Sequence, residues 1–475
     1  MLNKILYNLK NYPDDLCYHI GEKDYTNKDL YIYTCNIYEY LKEHCNKQDK
    51  VIVYGHKDIY MKATFLACSF LGITYVPVDV SIPKMRRERI IEKTCPKLII
   101  DASITAFIDN DSYTDITDIY MQDDDVYYII FTSGSTGEPK GVQITYGNLK
   151  SCMNWLMDIS NVHNDVILNQ ANFSFDLSVA DFYLPLLTRS MHYIIEKDTQ
   201  KDFSLLFKEL HKSNASFAVM TPSYAELLLL DKSFNMDLMP QLKTILFCGE
   251  KLSKKTVTKL YEHFPDIVII NSYGPTECTF AVTSTVVTPD TDITLGLPKP
   301  DVDIYIVNDN LELMNDYETG EILIAGASVG KGYLDESLNA GAFIRFKDKP
   351  SYLTGDLAYK VNGKLYYAGR KDRQIKYKGY RIELREIESL LNGLDYICQS
   401  VVTVNTNKDG DINRIIAFVK LKDSINISSK EIKAYLENHL PSYMIPVIKI
   451  VDKIPLNENG KTDEKALLEG INYER

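Results

Sequence analysis

The sequence predicts an α/β protein: a large N-terminal domain of packed mixed α/β sheets and a small α+β C-terminal domain, joined by a short hinge. Three observations lead to this fold class. Short apolar strands alternate with helices before residue 300, strands follow one another more closely after it, and a polar, glycine-containing stretch at 369–372 precedes a compact tail. The length of 475 residues also exceeds that of one ordinary domain.

The first part of the chain has the rhythm of parallel sheets with crossover helices. Strands are predicted at 51–54, 75–78 and 98–100, with helices at 61–71 and 84–94. The strand pattern recurs at four later places, 166–168, 217–220, 244–247 and 267–270. This alternation predicts that parallel strands form the centre of the large domain.

The later part of the chain has closer strands, at 302–307 and 322–325, which predict a smaller and more antiparallel piece. The tail has its own predicted elements, namely strands at 400–404 and 415–421 and a helix at 429–440. We therefore place the large domain at 1–371 and the small domain at 372–475. No long linker rich in Pro, Ser or Gly occurs, so the hinge is expected to be short.

Charge and apolar content exclude several classes of function. The net charge is −12 and the pI about 5.3, so binding to nucleic acid or to anionic membranes, which needs a basic face, is not expected. The most apolar stretch, 63–71, is far shorter than the roughly 20 residues that cross a bilayer. Nine cysteines without a CxxC motif predict free thiols in a reducing cytoplasm.

A loop rich in glycine and hydroxyl residues, TSGSTGEPKG at 132–141, follows an apolar strand at 127–131. Glycines allow backbone N–H groups to converge on phosphate oxygens, and hydroxyls and a lysine add further donors. The alternative is a solvated Ser/Gly loop, but the preceding strand and following lysine favour phosphate binding. The loop is not a Walker A motif, and the glycines at 326–332 do not form GxGxxG. Its candidate phosphate-binding residues are Thr132, Ser133, Gly134, Ser135, Thr136, Gly137 and Lys140.

This loop resembles the signature of the adenylate-forming superfamily, which includes nonribosomal peptide adenylation domains, acyl-CoA synthetases and luciferases. Further motifs resembling the family's follow in its order: NSYGPTE at 271–277, YLTGD at 352–356, GRKD at 369–372, GYRIE at 379–383 and NGK at 459–461. The resemblance covers essentially the whole chain. It implies an enzyme that joins a carboxylate to AMP at the expense of ATP and then passes the acyl group to a thiol.

Within the family, other segments are similar to the enzymes that activate D-alanine for esterification of lipoteichoic acid in the Gram-positive cell wall. They are VYGH at 53–56, PVDVSIP at 77–83, GVQITY at 141–146, FSFDLSV at 173–179 and FCGE at 247–250. Tyr146 stands where many adenylation domains have histidine, as in that subfamily. The resemblance implies D-alanine as substrate and the thiol of a separate phosphopantetheinylated carrier protein as acceptor, because no GGxS carrier site occurs in this sequence.

The resemblance also implies roles in ATP binding. Asp356 would take both ribose hydroxyls with help from Arg370, which suits an acceptor-only carboxylate. Tyr273 would stack on adenine and Asn271 would bond its amine. Glu277 would hold Mg²⁺, a cation that prefers oxygen ligands. Thr276 would touch the α-phosphate, and the remaining candidates are Ser272, Gly274, Pro275, Tyr367 and Gly369. Lys461 is expected to be the catalytic residue, bridging the substrate carboxylate and the α-phosphate.

The expected amino-acid site contains Asp176, flanked by apolar Phe175 and Leu177. A carboxylate in such surroundings is costly unless it is paired, and the resemblance supplies the substrate ammonium as partner. Without the resemblance, Asp176 is better interpreted as a helix cap. Lys461 and a set of side chains complete the substrate site: Leu177, Ala180, Cys248 and Phe280, with Val219, Leu246, Ser272 and Ala281 also at pocket positions.

Two of those positions depart from the D-alanine subfamily, since Ala180 replaces an expected methionine and Phe280 an expected small aliphatic residue. One change enlarges the pocket and the other fills it. They leave open a second interpretation, a stand-alone adenylation enzyme for another small amino acid in nonribosomal peptide or other secondary metabolism. A third alternative is a catalytically inactive relative that acts as a nucleotide-binding or scaffold protein, which the intact Thr132, Glu277, Asp356 and Lys461 disfavour.

Asp372 occupies the family's hinge position. The resemblance implies that the small domain rotates about it between the two half-reactions, removing Lys461 and opening a path for the thiol. By the same resemblance the protein is expected to be a monomer.

Overall fold

The computed structural model describes residues 1–108, 113–134, 137–407, 411–423, 425, 427–455 and 462–472. The predicted site residues Ser135, Thr136 and Lys461 lie outside this part of the chain.

The helices of the described residues are α1 (Leu2–Asn11), α2 (Asn27–His44), α3 (Ile59–Leu71), α4 (Lys84–Thr94), α5 (Thr105–Ile108), α6 (Tyr146–Ser160), α7 (Leu177–Thr188), α8 (Phe203–Ser213), α9 (Pro222–Leu228), α10 (Lys254–His263), α11 (Leu384–Asn392), α12 (Ser429–Glu437) and α13 (Glu464–Asn472).

The strands are β1 (Leu16–Ile20), β2 (Lys23–Thr26), β3 (Lys50–Gly55), β4 (Thr74–Asp79), β5 (Leu98–Ile100), β6 (Val126–Thr132), β7 (Lys140–Thr145), β8 (Val166–Asn169), β9 (Met191–Ile194), β10 (Phe217–Met220), β11 (Thr244–Phe247), β12 (Val268–Tyr273), β13 (Thr283–Val287), β14 (Leu297–Pro298), β15 (Val302–Val307), β16 (Gly320–Gly326), β17 (Gly332–Tyr333), β18 (Phe343–Phe346), β19 (Lys349–Val361), β20 (Lys364–Arg370), β21 (Gln374–Tyr377), β22 (Tyr380–Glu383), β23 (Ile397–Thr406), β24 (Ile412–Leu421) and β25 (Val447–Ile450).

The chain divides into two compact units. The first unit comprises Met1–Val80, Lys93–Phe131 and Gly141–Lys371, and the second comprises Ser81–Glu92, Thr132–Lys140 and Asp372–Arg475. The second unit thus combines the C-terminal part of the chain with two earlier segments, one of them the glycine-rich loop. The functional assignment of 1–371 and 372–475 as separate domains stays a prediction.

In the first unit, three sheets are formed by the described residues. The largest has the order β14-β13-β12-β11-β10-β8-β9-β1-β2, and the others have the orders β17-β7-β6-β4-β3-β5 and β15-β16-β19-β18, with β20 paired to β19. Strands β8, β10, β11 and β12 are mutually parallel neighbours. Their carboxyl ends therefore meet at one edge of the sheet, the usual place for a ligand site in such folds.

Helix burial in the first unit follows the apolar pattern of each segment. Helix α1 buries Leu2, Ile5, Asn8 and Leu9, the spacing of one helical face. Every residue of α3 and of α7 is buried; both segments are predominantly apolar, and each also buries one charged residue, Lys62 and Asp181. Helix α6 begins with a capping box, in which Thr145 accepts from the Asn148 amide and the Asn148 side chain accepts in return.

The second unit has a core of its own around the antiparallel pair β23–β24 and the parallel neighbour β25. Helices α11 and α12 contribute apolar side chains to this core, which contains Ile382, Leu384, Ile387, Leu391, Val402, Ala417, Ile432 and Leu436. The short hairpin β21–β22 precedes α11 directly. The Ser428 side chain caps α12 in a second capping box, with Glu431.

The predicted fold class is confirmed: the protein has mixed α/β sheets in a large part and an α+β arrangement in a smaller one. The antiparallel arrangement predicted after residue 300 is present in the β15–β16–β19 sheet. The predicted helix at 429–440 is too long, because α12 ends at Glu437, before Pro441. No helix among the described residues is both long and apolar enough to cross a bilayer.

Candidate active site

A buried cluster of polar side chains forms where β12 ends near the β19–β20 pair. Asp356 on β19 and Arg370 on β20 are direct cross-strand partners. The Arg370 Nη1 atom donates to Asp356 Oδ1 at 2.7 Å, and the hydroxyl of Tyr273, the last residue of β12, donates to Asp356 Oδ2 at 2.8 Å. The structure therefore brings together three residues that the resemblance assigns to the nucleoside of ATP.

The Asp356 carboxylate is suited to further hydrogen bonds. It is 1% exposed, and each oxygen already accepts from one side chain. An ionised carboxylate only accepts hydrogen bonds and has two oxygens, which suits it to the two hydroxyl donors of a ribose. Burial, followed by the nearby Asp356 charge, raises the pKa of Tyr273 well above its ordinary value, which keeps its hydroxyl a donor.

The residues around Tyr273 are fixed by bonds to the scaffold. The Asn271 side chain donates to the Thr294 carbonyl at 2.8 Å, and the Ser272 hydroxyl donates to the Phe247 carbonyl at 2.7 Å. At Gly274 an added Cβ would lie 2.6 Å from Ala281 Cα, so only glycine fits this turn. Pro275 then leads into a single 3-10 turn at Thr276–Cys278.

Glu277, the predicted Mg²⁺ ligand, is buried in that 3-10 turn. Its Oε1 atom accepts from the Tyr333 hydroxyl at 2.7 Å, and the Tyr333 hydroxyl lies 3.3 Å from that of Tyr352. The described residues contain no group of three or more His, Cys, Asp or Glu side chains that could hold a metal by themselves.

The glycine-rich loop belongs to the second unit, where its donors meet polar groups. The Ser133 hydroxyl donates to the Arg381 carbonyl at 2.8 Å, and the Gly134 amide makes a long 3.4 Å hydrogen bond to Glu386 Oε2. A Cβ at Gly134 would lie 2.0 Å from the Glu138 carbonyl oxygen, and Gly137 has a φ of +85°. Glycine is required at both positions, and an amide of this loop does point at an anion.

Two other predicted loop residues lie at strand ends, Thr132 at the end of β6 and Lys140 at the start of β7. The Thr132 hydroxyl oxygen is buried and has no hydrogen-bond partner among the described residues. Lys140 is half-buried at the start of β7. Both are donors that a phosphate could accept from.

The predicted amino-acid pocket residues lie on α7, at the carboxyl ends of β10 and β11, and between the 3-10 turn at Thr276–Cys278 and β13. Their side chains belong to one buried cluster of the first unit: Leu177, Ala180, Val219, Leu246, Cys248, Phe280 and Ala281. The Cys248 thiol lies 3.9 Å from the Phe280 carbonyl oxygen. Asp176 is half-buried directly before α7, and it contributes to raising the pKa of buried Tyr128, after burial itself and Tyr75.

The alternative interpretation of Asp176 as a helix cap has little support in the geometry. Asp176 occupies the N-cap position of α7, but its backbone is helical (φ −64°, ψ −23°) and the helix amides in the described chain make no hydrogen bond to its side chain. A capping residue normally has an extended backbone and accepts from such an amide. A role other than capping is therefore favoured.

The predicted hinge residue Asp372 is exposed, and its neighbours on either side are bound within different units. Lys371 donates to Glu321 Oε2 at 3.3 Å in the first unit. Arg373 donates to both Glu388 oxygens, at 2.9 and 3.0 Å, in the second unit. Gly369 has a φ of +126°, and Tyr367 is half-buried and paired with Ala358 across β19–β20.

Comparisons with known proteins agree with this geometry. The family model described as "AMP-binding enzyme" matches residues 7–334, and the model of its C-terminal domain matches residues 386–461. The chain belongs to the AMP-binding enzyme family. It is 38% identical to a D-alanine--D-alanyl carrier protein ligase of Bacillus licheniformis, over 98% of this chain and 99% of the relative. It is 39% identical to the ligase of the same name from Listeria monocytogenes serotype 4b, over 97% of each.

A solved structure shows the same fold. The Vibrio cholerae adenylation domain AlmE, in complex with glycyl-adenosine-5'-phosphate, has a TM-score of 0.87 and 22% identity, covering 99% of this chain and 97% of that one. The family models and the ligase relatives confirm the resemblance to the adenylate-forming superfamily, and membership of the AMP-binding enzyme family extends to both parts of the chain.

Some polar residues of this AMP-binding enzyme were not predicted. Tyr333 on β17 donates to Glu277, and the hydroxyl of Tyr352 on β19 lies next to the Tyr333 hydroxyl. Tyr352 begins the YLTGD motif but has no charge or spacing that indicates this contact, and Tyr333 belongs to no predicted motif. Arg373 directly follows the GRKD motif. Its charge is the feature of the sequence that could have indicated an acidic partner such as Glu388.

Replacing Tyr273 with phenylalanine is expected to raise the KM for ATP roughly tenfold, because a hydrogen bond to a charged group contributes about 1.5–3 kcal/mol. The substitution removes the Tyr273 hydroxyl, a buried donor to Asp356 Oδ2. The matched control is Tyr305→Phe, whose hydroxyl donates at 3.4 Å to Asp303 in a more accessible position. Steady-state kinetics at saturating amino acid measures both, and equal ATP affinities in the two variants would contradict the assignment.

Proposed function

We propose that this protein activates D-alanine with ATP, forming D-alanyl-AMP and pyrophosphate, and then transfers D-alanine to the phosphopantetheine thiol of a separate carrier protein. The observation that carries the proposal is the identity of 38–39% over nearly the full length of proteins named D-alanine--D-alanyl carrier protein ligase. Enzymes of the family use ATP. We propose that the D-alanyl group is finally used to esterify lipoteichoic acid.

The first half-reaction is attack of the amino-acid carboxylate on the α-phosphorus. Two anions must approach each other, so the protein has to supply positive charge and N–H donors. The proposed contributors are the loop donors Thr132, Ser133 and Lys140, together with Lys461. Asp356 and Arg370 would hold the ribose, and Tyr273 the adenine, so that the α-phosphorus is placed for the attack.

Mg²⁺ is proposed to bind at Glu277. The residues fit this cation because Glu277 is a buried carboxylate, already oriented by the Tyr333 hydroxyl, and carboxylate oxygens are preferred Mg²⁺ ligands. When bound, Mg²⁺ would reduce the negative charge of the phosphates. Tyr333 would hold the Glu277 side chain in a fixed orientation for that purpose.

The amino-acid substrate is proposed to place its ammonium against Asp176 and its methyl group among the apolar pocket residues. Ala180 and Phe280, at 1% exposure each, are both packed in the same buried cluster. This supports the idea that the larger and smaller side chains compensate for each other. A carboxylate partner for the substrate is a requirement of amino-acid activation and not of fatty-acid activation.

The substrate preference distinguishes activation of D-alanine from the competing interpretation, activation of another small amino acid for secondary metabolism. ATP–pyrophosphate exchange should be measured with D-alanine, L-alanine, glycine, D-serine, L-serine and L-proline. We expect D-alanine to give the fastest exchange and to load a phosphopantetheinylated carrier protein, seen as a mass increase of the intact carrier. Faster exchange with any other member of this panel would reject D-alanine as the substrate.

Replacing Asp176 with asparagine is expected to lower kcat/KM for D-alanine about a hundredfold while leaving the KM for ATP unchanged. The charge-assisted bond to the ammonium is lost, although the side chain keeps its size. Asp158→Asn, at an exposed position on α6, is the matched control. Exchange kinetics with each substrate varied in turn gives both constants. A similar decrease for ATP and for D-alanine would argue against the proposed contact.

A further inference from the structure

A buried cluster of charged and polar side chains lies in the first unit, and the proposed reaction makes no use of it. Its members come from two regions of the chain, 57–62 and 169–192, and are at most 1% exposed: Lys57 after β3, Lys62 on α3, Asn169 at the end of β8, Asp181 on α7 and His192 on β9. We refer to these five residues as the lysine–aspartate cluster. Such groups are costly to bury, so their position calls for an explanation.

The contacts inside the lysine–aspartate cluster centre on Asp181. Its Oδ1 atom accepts from Asn169 Nδ2 at 2.9 Å and lies 3.6 Å from His192 Nε2. His192 Nδ1 in turn lies 3.2 Å from Lys62 Nζ. Burial lowers the pKa of Lys57 and of Lys62 to about 8, and Asp181 opposes this shift in both. The Asp181 side chain thus connects α7 to β8 and β9, and His192 continues the connection to α3.

The lysine–aspartate cluster also binds the backbone that leads to Asp176. Lys57 Nζ donates to the Gln170 carbonyl at 3.0 Å, and Asn169 Nδ2 donates to the Ala171 carbonyl at 3.1 Å as well as to Asp181. The carbonyls lie five and six residues before Asp176, and Asp181 lies five residues after it. The segment carrying Asp176 is therefore fixed on both sides by the same cluster.

We propose that Asp181 and Lys57 are positioning residues for the amino-acid substrate, holding residues 170–176 and the first turn of α7 so that Asp176 meets the substrate ammonium. This rests on the proposed role of Asp176 in the function above. Neither residue touches substrate in this proposal. Leu177 and Ala180, which share the α7 turns between Asp176 and Asp181, would be held in place by the same contacts.

A positioning role and a purely structural role predict changes in different kinetic constants. A displacement of Asp176 weakens amino-acid binding, whereas the cluster of Tyr273, Asp356 and Arg370 is built on other strands and should keep its affinity for ATP. A general loss of stability would instead reduce the amount of active enzyme. The apparent kcat would then fall by the same factor whichever substrate is varied.

The test uses Asp181→Asn, which keeps the acceptor for Asn169 and removes the charge, and Lys57→Met, which removes the donor to Gln170. The control is Leu187→Ala at the other end of α7, a buried residue outside the cluster. We expect each cluster variant to raise the KM for the amino acid at least roughly tenfold, with the KM for ATP and the kcat within about twofold of wild type. The control should lower the melting temperature and should not raise the KM for the amino acid relative to the KM for ATP.

The amino acid used is the one that wild-type enzyme prefers in the exchange panel, so a wrong substrate assignment is detected separately from a wrong positioning role. The proposal is overturned if the KM for the amino acid is unchanged in the variants, or rises no more than that for ATP. Where Asp181→Asn does not fold, Lys57→Met alone decides, because it leaves the carboxylate in place.

Discussion

Replacing Lys461 with alanine is expected to lower amino-acid-dependent ATP–pyrophosphate exchange by about a hundred- to a thousandfold, the range for losing one stabilising donor at a reacting centre. The reason is the charge of the first half-reaction, in which a carboxylate and a phosphate approach each other. Lys461 lies outside the described residues, and its assignment depends on the NGK motif at 459–461. Exchange at saturating ATP and D-alanine measures the effect.

The matched control for this prediction is Lys465→Ala, four residues later on α13, where the side chain is 87% exposed and lies 3.9 Å from Glu469. It removes the same charge from the same region, and an exposed pair of this kind contributes little. We also expect Lys461→Ala to transfer D-alanine normally from added D-alanyl-AMP to the carrier thiol. If exchange persists in Lys461→Ala, or if both lysine variants are equally impaired, another residue must stabilise the transition state.

Much of the fold could be predicted from the sequence because buried parallel strands have a simple pattern. The apolar runs at 217–220 and 244–247 coincide with β10 and β11, and the helix at 84–94 coincides with α4. Elements without that pattern were not predicted. The hairpin β21–β22 has two strands of only four residues, QIKY and YRIE, and the sequence was interpreted there as a motif and not as strands.

The candidate site was predictable as a set of residue types but not as an arrangement. Motifs identified Tyr273, Asp356 and Arg370, yet nothing in their spacing shows that Asp356 and Arg370 are opposite each other on neighbouring strands. That pairing depends on the register of β19 and β20, which tertiary packing determines. Tyr333 could not be assigned to Glu277 for the same reason, since the two are 56 residues apart.

Buried charges were the least predictable feature. Lys57, Lys62 and Arg86 look in the sequence like ordinary surface residues, because a long charged side chain is usually exposed. Only the structure shows that segments distant along the chain supply partners for them, such as Glu386 for Arg86. A periodicity argument has no information about such pairs.

The ion pair between Arg86 and Glu386 leads to the largest expected effect on stability. It lies within the second unit, connecting the first turn of α4 to α11, and both side chains are less than 10% exposed. Removing one partner leaves a buried charge without compensation, which typically costs about 3–5 kcal/mol. Arg86→Met is therefore expected to lower the free energy of unfolding by that amount and to speed hydrogen exchange of the α11 amides.

Two further variants separate the buried charge from other causes. Arg89→Met breaks the neighbouring pair with Glu138, at 3.3 Å, which is 29% and 42% exposed, and should cost no more than about 1 kcal/mol. The double variant Arg86→Met with Glu386→Gln should recover part of the loss, because no isolated charge remains. Denaturant unfolding followed together with exchange at 384–392 measures all three. If Arg86→Met costs no more than Arg89→Met, then the pair is accessible to water in solution, and Glu386 must be held in the second unit by its other contact, the amide of Gly134.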